Sequence, residues 1–327
     1  MINFDYARPG SEQATIDALR KDLNAKIIAG GTNLVDLMKR GVMSPEKLID
    51  ITALPLKAIE IKGNNIHIDS LALNSDVAEN DLIKKYLPLL SQALQAGASP
   101  QIRNMATVGG NLMQRTRCPY FYDTTMPCNK RQPGTGCSAL HGYNRMHSIF
   151  GASENCIAVH PSDMCIALAA LDATVLVTGP KGSRRIAFTD FHSLPGTNPE
   201  RDNTLQRDEL ITGVEVLINK ELAAHSLYQK IRDRQSYAFA LVSVAAALDM
   251  KGKTIKIARL AMGGVAHKPW RLTKAESFLK GKEASLANFQ QAATLAMQDA
   301  KTYGHNDFKL KLAPNTIVNT LKMLTGI

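Results

Sequence analysis

One stretch limits what this chain can fold into more than any other. Residues 118–156 read CPYFYDTTMPCNKRQPGTGCSALHGYNRMHSIFGASENC and hold four of the five cysteines, Cys118, Cys128, Cys137 and Cys156; the fifth is Cys165. Nine, eight and eighteen residues separate successive members of the four. Neither a helical nor a strand period runs through most of the segment, and Pro119, Pro127, Pro133, Gly134, Gly136 and Gly142 are loop residues. A loop this long inside a domain is commonly functional or disordered. Thiols gathered in it point to a metal centre, not a hydrophobic core, as the element that folds it.

The rest of the chain is ordinary enough to set limits. Its 327 residues suffice for two or three domains with real cores. Apolar content of 45% and charged content of 21% suit a globular protein. No run approaches the roughly 20 apolar residues of a membrane span. The opening MINFDYARPGSEQ has neither a basic nor an apolar signal-peptide region, so cytoplasmic folding is expected, with export only as a folded complex on a partner's signal. The net charge of +10 is dispersed, and no RNP, zinc-finger or helix-turn-helix pattern occurs, which favours a solvated surface over a nucleic-acid face.

Two Gly-Gly segments stand out along the chain. Lys26 to Ala29 read as a short buried strand, followed at once by Gly30-Gly31-Thr32-Asn33 and a helix from Leu34. Strand, glycine turn and helix start form an anion cradle, since glycine lets the backbone approach a phosphate and unpaired N–H groups face it. It is neither a P-loop nor GxGxxG, and such a turn is often plain structure. The second segment, Ile102 to Leu112, places Gly109-Gly110 beside Thr107 and Asn111, and two such turns could grip two ends of one dinucleotide. Ile16, Leu19 and Leu23 fall at helical spacing, and a hairpin is expected about Gly63-Asn64-Asn65. Beyond a composition break at 219–224, strands at 226–231, 240–250 and 254–263 precede helices at 273–279 and 286–299, with a last helix from Pro314. Strands followed by helices suggest an α+β domain.

AGGTNLVD (29–36), IRNMATVGGNL (102–112), PSD (161–163), SYAFALVSVAAAL and GGVAHKPWR occur together and in order. The chain thereby resembles the FAD-binding subunit of the molybdenum hydroxylases, the xanthine dehydrogenase, aldehyde oxidoreductase and carbon monoxide dehydrogenase family. About forty extra residues intervene between VGGN and the Ser-Asp pair, which in most of that family follow each other almost directly. The insertion resembles two subgroups that carry an extra 4Fe-4S cluster there, the periplasmic aldehyde oxidoreductases and the 4-hydroxybenzoyl-CoA reductases. TRCPYFYDTTMPCNKR is more similar to the former.

The resemblance implies an α+β fold: a two-lobed PCMH/VAO-type FAD-binding domain over 1–218, then a small α+β domain of CO dehydrogenase flavoprotein type over 224–327. The lobes would divide at 1–55 and 56–218, with the cysteine-rich insertion at 114–160. It implies that Ile28, Ala29, Gly30, Gly31, Thr32, Asn33 and Leu34 wrap the FAD pyrophosphate and that Thr107, Gly110 and Asn111 hold its other side. Asp163 would accept from a ribose or ribityl hydroxyl, Ile211 would pack near the isoalloxazine, and Lys230 would stabilise reduced flavin by charge. On residue chemistry alone Asp163 reads as a helix N-cap and Lys230 as a solvated strand lysine.

The implied cluster ligands are Cys118, Cys128, Cys137 and Cys156. Structural zinc is the first rival, weakened by the lack of a CxxC-like pair; disulfides are the second, weakened by the odd count. Cys165 reads as a buried structural thiol, and His141, His147 and His160 as polar surface. Arg115, Arg117, Lys130, Arg131 and Arg145 outnumber Asp123 and Glu154, a charge excess that would offset a cluster or face an acidic partner. The expected function is an electron-transfer subunit of a heterotrimeric aldehyde oxidoreductase. Its partners would be a large molybdenum-cofactor subunit and a small 2Fe-2S subunit, and FAD would discharge to an external acceptor. A 4-hydroxybenzoyl-CoA reductase or xanthine dehydrogenase type complex is the alternative, and a stand-alone metal-binding module is the alternative of another class.

Overall fold

The computed structural model describes all residues, Met1–Ile327. Three sheets follow one another along the chain. The first is parallel, in the order β1 (Asp5–Ala7), β3 (Lys47–Asp50), β2 (Ala25–Ile28). The helix Glu12–Lys21 connects β1 to β2. Ser11 caps it by accepting from Ala14 N, and Glu12 in the first turn with Arg20 and Lys21 in the last complement its dipole. Ile16 and Leu19 are buried as their spacing predicts, but Leu23 lies past the helix end and is 71% exposed. Asp22 already has an extended backbone (φ −133, ψ 114), so Leu23 falls past the helix end.

The second sheet is antiparallel, in the order β4 (Ile59–Lys62), β5 (Asn65–Asp69), β8 (Leu210–Leu217), β6 (Thr174–Gly179), β7 (Gly182–Ala187). The expected hairpin turns through Gly63 at φ +59. The helices Pro88–Ala96 and Asp163–Ala170 share one apolar core with this sheet. Every residue of Asp163–Ala170 is buried, so its sequence shows no polar stripe.

The third sheet is antiparallel, in the order β12 (Trp270–Arg271), β11 (Thr254–Gly263), β10 (Val242–Lys251), β9 (Ser226–Ile231). Side chains alternate along β10. Val242, Val244, Ala246 and Leu248 join the core made with the C-terminal helices Thr273–Leu279, Leu286–Ala296 and Lys309–Thr325. Ala245 and Ala247 join the core of the preceding domain. Small side chains on that face let Asp163–Ala170 lie close: a Cβ on Gly263 would come 2.7 Å from an Ile166 side-chain carbon. The last helix starts at Lys309 and carries Pro314 inside it, contrary to the expected start at Pro314. Burial of Ala313, Ile317 and Leu321 in the apolar core of the domain outweighs the backbone hydrogen bond that proline forgoes. No helix is long and apolar enough to cross a membrane.

Candidate functional site

The strand β2 runs into Gly30 and Gly31, and the helix Leu34–Lys39 departs from Asn33. This turn and its surroundings line a cavity of about 620 Å³. Ile28, Ala29, Gly30, Gly31, Thr32, Asn33 and Leu34 all border it, as do Thr107, Gly110 and Ile211. Lys26, Arg115, Arg201 and Arg207 bring positive charge to the same walls. Burial, with repulsion from Arg115 and Arg207, holds the Lys26 ammonium below its usual pKa. Asn33 Nδ2 and Ser70 Oγ are buried there without a partner, although Asn33 Oδ1 accepts from Arg115 N at 2.8 Å. Glu200, Asp202 and Glu209 line the same cavity, so its walls carry both signs of charge, and the unpartnered buried polar atoms there are free to serve a polar ligand.

A second cavity of about 740 Å³ shares Thr32, Asn33 and Gly110 with the first. Asn111, Asp163 and Lys230 border it, with Arg103, Arg117, Arg234, Tyr237 and Phe239. Asn74 Oδ1 and Arg117 Nε are its unpartnered buried atoms. Ile211 and Lys230, both expected near the flavin ring, therefore lie in different cavities. The structure also changes the expected second glycine turn. Val108–Leu112 is a one-turn helix, and Thr107 Oγ1 caps it by accepting from Gly110 N at 3.1 Å. Asn111 Oδ1 accepts from Ser162 Oγ at 2.6 Å and Gln114 Nε2 at 2.7 Å.

Asp163 and Lys230 form a buried pair at 2.7 Å, and Tyr228 Oη donates to the same carboxylate at 2.6 Å. Neither residue takes the role that its chemistry alone suggested. Ser162 caps the helix by accepting from Cys165 N, and the Lys230 side chain is only 3% exposed. Asp163 already answers the lysine's charge, so the pair offers a ligand a polar wall and no free cation. Burial in that wall, next to the Asp163 carboxylate, pushes the Tyr228 phenol well up. Tyr228 was not singled out from the sequence, where it is one tyrosine in a strand pattern.

The four loop cysteines line one small cavity together with Thr116, Phe121, Lys130 and Asn155. All four are free thiols. Cys128 and Cys137 face each other across an antiparallel bridge, and turn hydrogen bonds such as Asn129 N to Gly136 O (2.7 Å) and Gly136 N to Asn129 Oδ1 (2.8 Å) fix the loop. Burial raises the Cys118 thiol to about 12 and the Cys156 thiol to about 11. No three of the four sulfurs lie within 4.8 Å of one another. Tetrahedral zinc, with Zn–S near 2.3 Å, holds its sulfurs about 3.8 Å apart. The donor set is all thiol, and the cavity it lines is small, about 10 Å³.

The insertion's cations are not a free acidic-partner face. Lys130, buried, pairs with Asp202, which also accepts from Arg115 at 2.7 Å. Burial alone would raise the Asp202 carboxyl, but these two cations hold it well below the usual range. Arg117 pairs with Asp36 at 3.3 Å, Arg145 with Asp233 at 2.9 Å, and Arg131 donates to the Tyr120 and Phe121 carbonyls. Two of the histidines are not polar surface: His147 and His160 are buried. His147 Nε2 is 3.1 Å from Cys118 Sγ, and burial lowers its pKa to about 4. Cys165 is fully buried, as expected of a structural thiol.

Residues 2–216 match the family described as "FAD binding domain in molybdopterin dehydrogenase". The chain belongs to that family. Residues 226–324 of this family member match a second one, "CO dehydrogenase flavoprotein C-terminal domain". Over 324 residues it is 45% identical to "Aldehyde oxidoreductase FAD-binding subunit PaoB" of Escherichia coli (strain K12), covering 98% of each chain. It is 28% identical to "Glyceraldehyde dehydrogenase medium chain" of Sulfolobus acidocaldarius over 86% of this chain and 82% of the other. A carbon monoxide dehydrogenase chain from Hydrogenophaga pseudoflava superimposes with a TM-score of 0.77 at 24% identity, covering 99% of this chain and 100% of that one, which shows the shared fold.

Proposed function

We infer that this chain is the electron-transfer subunit of a molybdenum aldehyde oxidoreductase, and that it carries FAD and a 4Fe-4S cluster. A large molybdenum-cofactor subunit and a small 2Fe-2S subunit would be its partners. The observation that carries the reading is adjacency. Arg117 borders the second cavity and its neighbour Cys118 borders the thiol cavity, so the two candidate cofactor sites meet within two consecutive residues. The 45% identity to a subunit named for FAD binding in an aldehyde oxidoreductase supports the flavin half. Four thiols lining one cavity, an all-cysteine donor set, support the cluster half.

The chain's own residues would divide the work. The Gly30–Asn33 turn and the cations Lys26 and Arg207 would hold the pyrophosphate by backbone donors and charge. Asn33 Nδ2 and Ser70 Oγ would find their missing acceptors and donors on the cofactor. Asp163 and Lys230, already paired, would give the second cavity a fixed polar wall. FAD supplies the passage from two-electron to one-electron chemistry, and the cluster supplies a one-electron centre or a staple for the insertion.

One anaerobic purification tests both halves by absorption spectrum, flavin extraction, and iron, sulfide and zinc assays. The expected result is stoichiometric FAD with about four iron and four sulfide. Zinc in the thiol cavity in place of iron would sink the cluster and keep the flavoprotein; neither flavin nor iron would sink both. Cys128→Ser then separates the cluster's roles. Unchanged turnover with an unfolded insertion supports the staple, and slowed turnover in a stably folded subunit supports the relay.

A further inference from the structure

A second group of ligand-type side chains lies apart from both cofactor cavities and the four loop cysteines. His160 ends the insertion, Cys165 sits in the helix Asp163–Ala170, and His192 follows the short helix Phe188–Phe191. All three are buried, and one ligand atom from each lies within 4.8 Å of the other two. The His160 and His192 rings are 4.3 Å apart between centroids. We propose that His160, Cys165 and His192 bind a zinc ion that pins the end of the insertion to the core of the FAD-binding domain.

The hydrogen bonds show which ring nitrogens are left for a metal. His192 Nε2–H donates to the Leu112 carbonyl at 3.0 Å, so its Nδ1 carries the lone pair, and that Nδ1 is buried with no partner. His267 repeats the arrangement: Nδ1–H donates to the Ser193 carbonyl at 3.0 Å, and Nε2 is buried and unpartnered. His160 Nε2 is buried and unpartnered as well. A metal-bound histidine typically gives its other N–H to a carbonyl in this way, which fixes tautomer and orientation. Three bare imidazole nitrogens in one part of a core leave desolvation uncompensated, and a cation answers them together.

The donors select the ion. Two imidazoles and a thiolate suit borderline-soft zinc, which binds sulfur near 2.3 Å and nitrogen near 2.0–2.1 Å, so the ligand atoms would stand about 3.4–3.6 Å apart. Closing from the observed group to that spacing takes movements of about an ångström or less. His267, which lies outside the 4.8 Å group, or one water would complete the tetrahedron. Binding would release the Cys165 proton. Asp202 acts on all three histidines, with its own charge already paired to Lys130 and Arg115. A cavity of about 90 Å³ borders His160 on its far side.

The test uses the chain co-expressed with the subunits that purify with it, anaerobically and without added metal. Zinc, iron, copper and FAD are measured per chain in the wild type and in His160→Asn/His192→Asn. The expected result is stoichiometric zinc in the wild type. Zinc affinity should fall at least roughly tenfold in the variant, the scale on which ligand-shell changes act, with FAD and iron unchanged. Zinc that stays in the variant, or copper in its place, overturns the proposal. If the variant does not fold, anomalous diffraction at the zinc edge on the wild type decides it. A peak among His160, Cys165 and His192 supports the site, and its absence from folded, flavin-loaded protein overturns it.

Discussion

Gly30 sits where a Cβ would come 1.8 Å from the carbonyl oxygen of Met105, so only glycine lets the first phosphate-type turn pack on the second glycine segment. A backbone oxygen cannot swing away as a side chain would. Gly30→Ala should therefore destabilise by about 3 kcal/mol, the upper part of the overpacking range, and strip flavin. Thermal unfolding and FAD per chain are the readouts, with Gly10→Ala, which has open space around its Cβ, as the neutral control. An unchanged flavin content in Gly30→Ala would detach this turn from cofactor binding. The glycine pair was visible in the sequence as a motif. Its reason was not, because Met105 is seventy-five positions away. Asp163 and Lys230 teach the same point: each was singled out alone, and only the fold makes them one neutralised pair.

The element that most depends on this long-range packing is the helix Lys309–Thr325. Its first residue, Lys309, is fully buried, and its Nζ donates to the carbonyls of His147 (2.8 Å) and Gly264 (2.6 Å) with no carboxylate beside it. Burial, with Arg145 adding repulsion, lowers its pKa to about 7. Between that value and the ordinary lysine pKa the folded chain binds fewer protons than the unfolded one. Stability should therefore rise with pH across this window, by up to about 1.4 kcal/mol per unit, while below about pH 7 the full cost of a buried charge is present. Lys309→Met should flatten that slope. Urea midpoints at pH 7 and 9 for both proteins are the check, and parallel slopes would refute it. The same helix shows the limit of proline rules, since a start at Pro314 is the local reading, yet the helix begins at Lys309 and its apolar face from Ala313 is buried.

On the scale of the whole molecule, the insertion joins the two domains. Phe150, near its end, stacks on Trp270 of β12 with ring centroids 5.1 Å apart and planes 8° apart. His147 and Ser148 give their carbonyls to Asn306 and Lys309. Trp270 is the chain's one tryptophan, so its emission reports this junction. Phe150→Ala, at a buried position, should cost about 3–5 kcal/mol and shift native Trp270 emission to the red. Native emission that stays at the wild-type wavelength would mean the stack does not hold the junction. The insertion's cysteine spacing gives no sign of this contact, because no period in the sequence marks a contact between domains.

Sequence alone determined what local chemistry encodes. β11 (Thr254–Gly263), the hairpin about Gly63, the helical spacing of Ile16 and Leu19 and the first glycine turn follow from side-chain period and backbone freedom within a few residues. The family motifs add the order of the two domains. Tertiary structure alone decided burial and partnership. It turned His147 and His160 from loop histidines into core residues, and gave each cation of the insertion a specific acceptor. It also set Ile211 and Lys230 in separate cavities, and gathered His160, Cys165 and His192 from three elements. The reason is physical. Dihedral preference and amphipathic period act over neighbours in the chain, whereas desolvation and charge pairing depend on distances in space that only the folded chain sets.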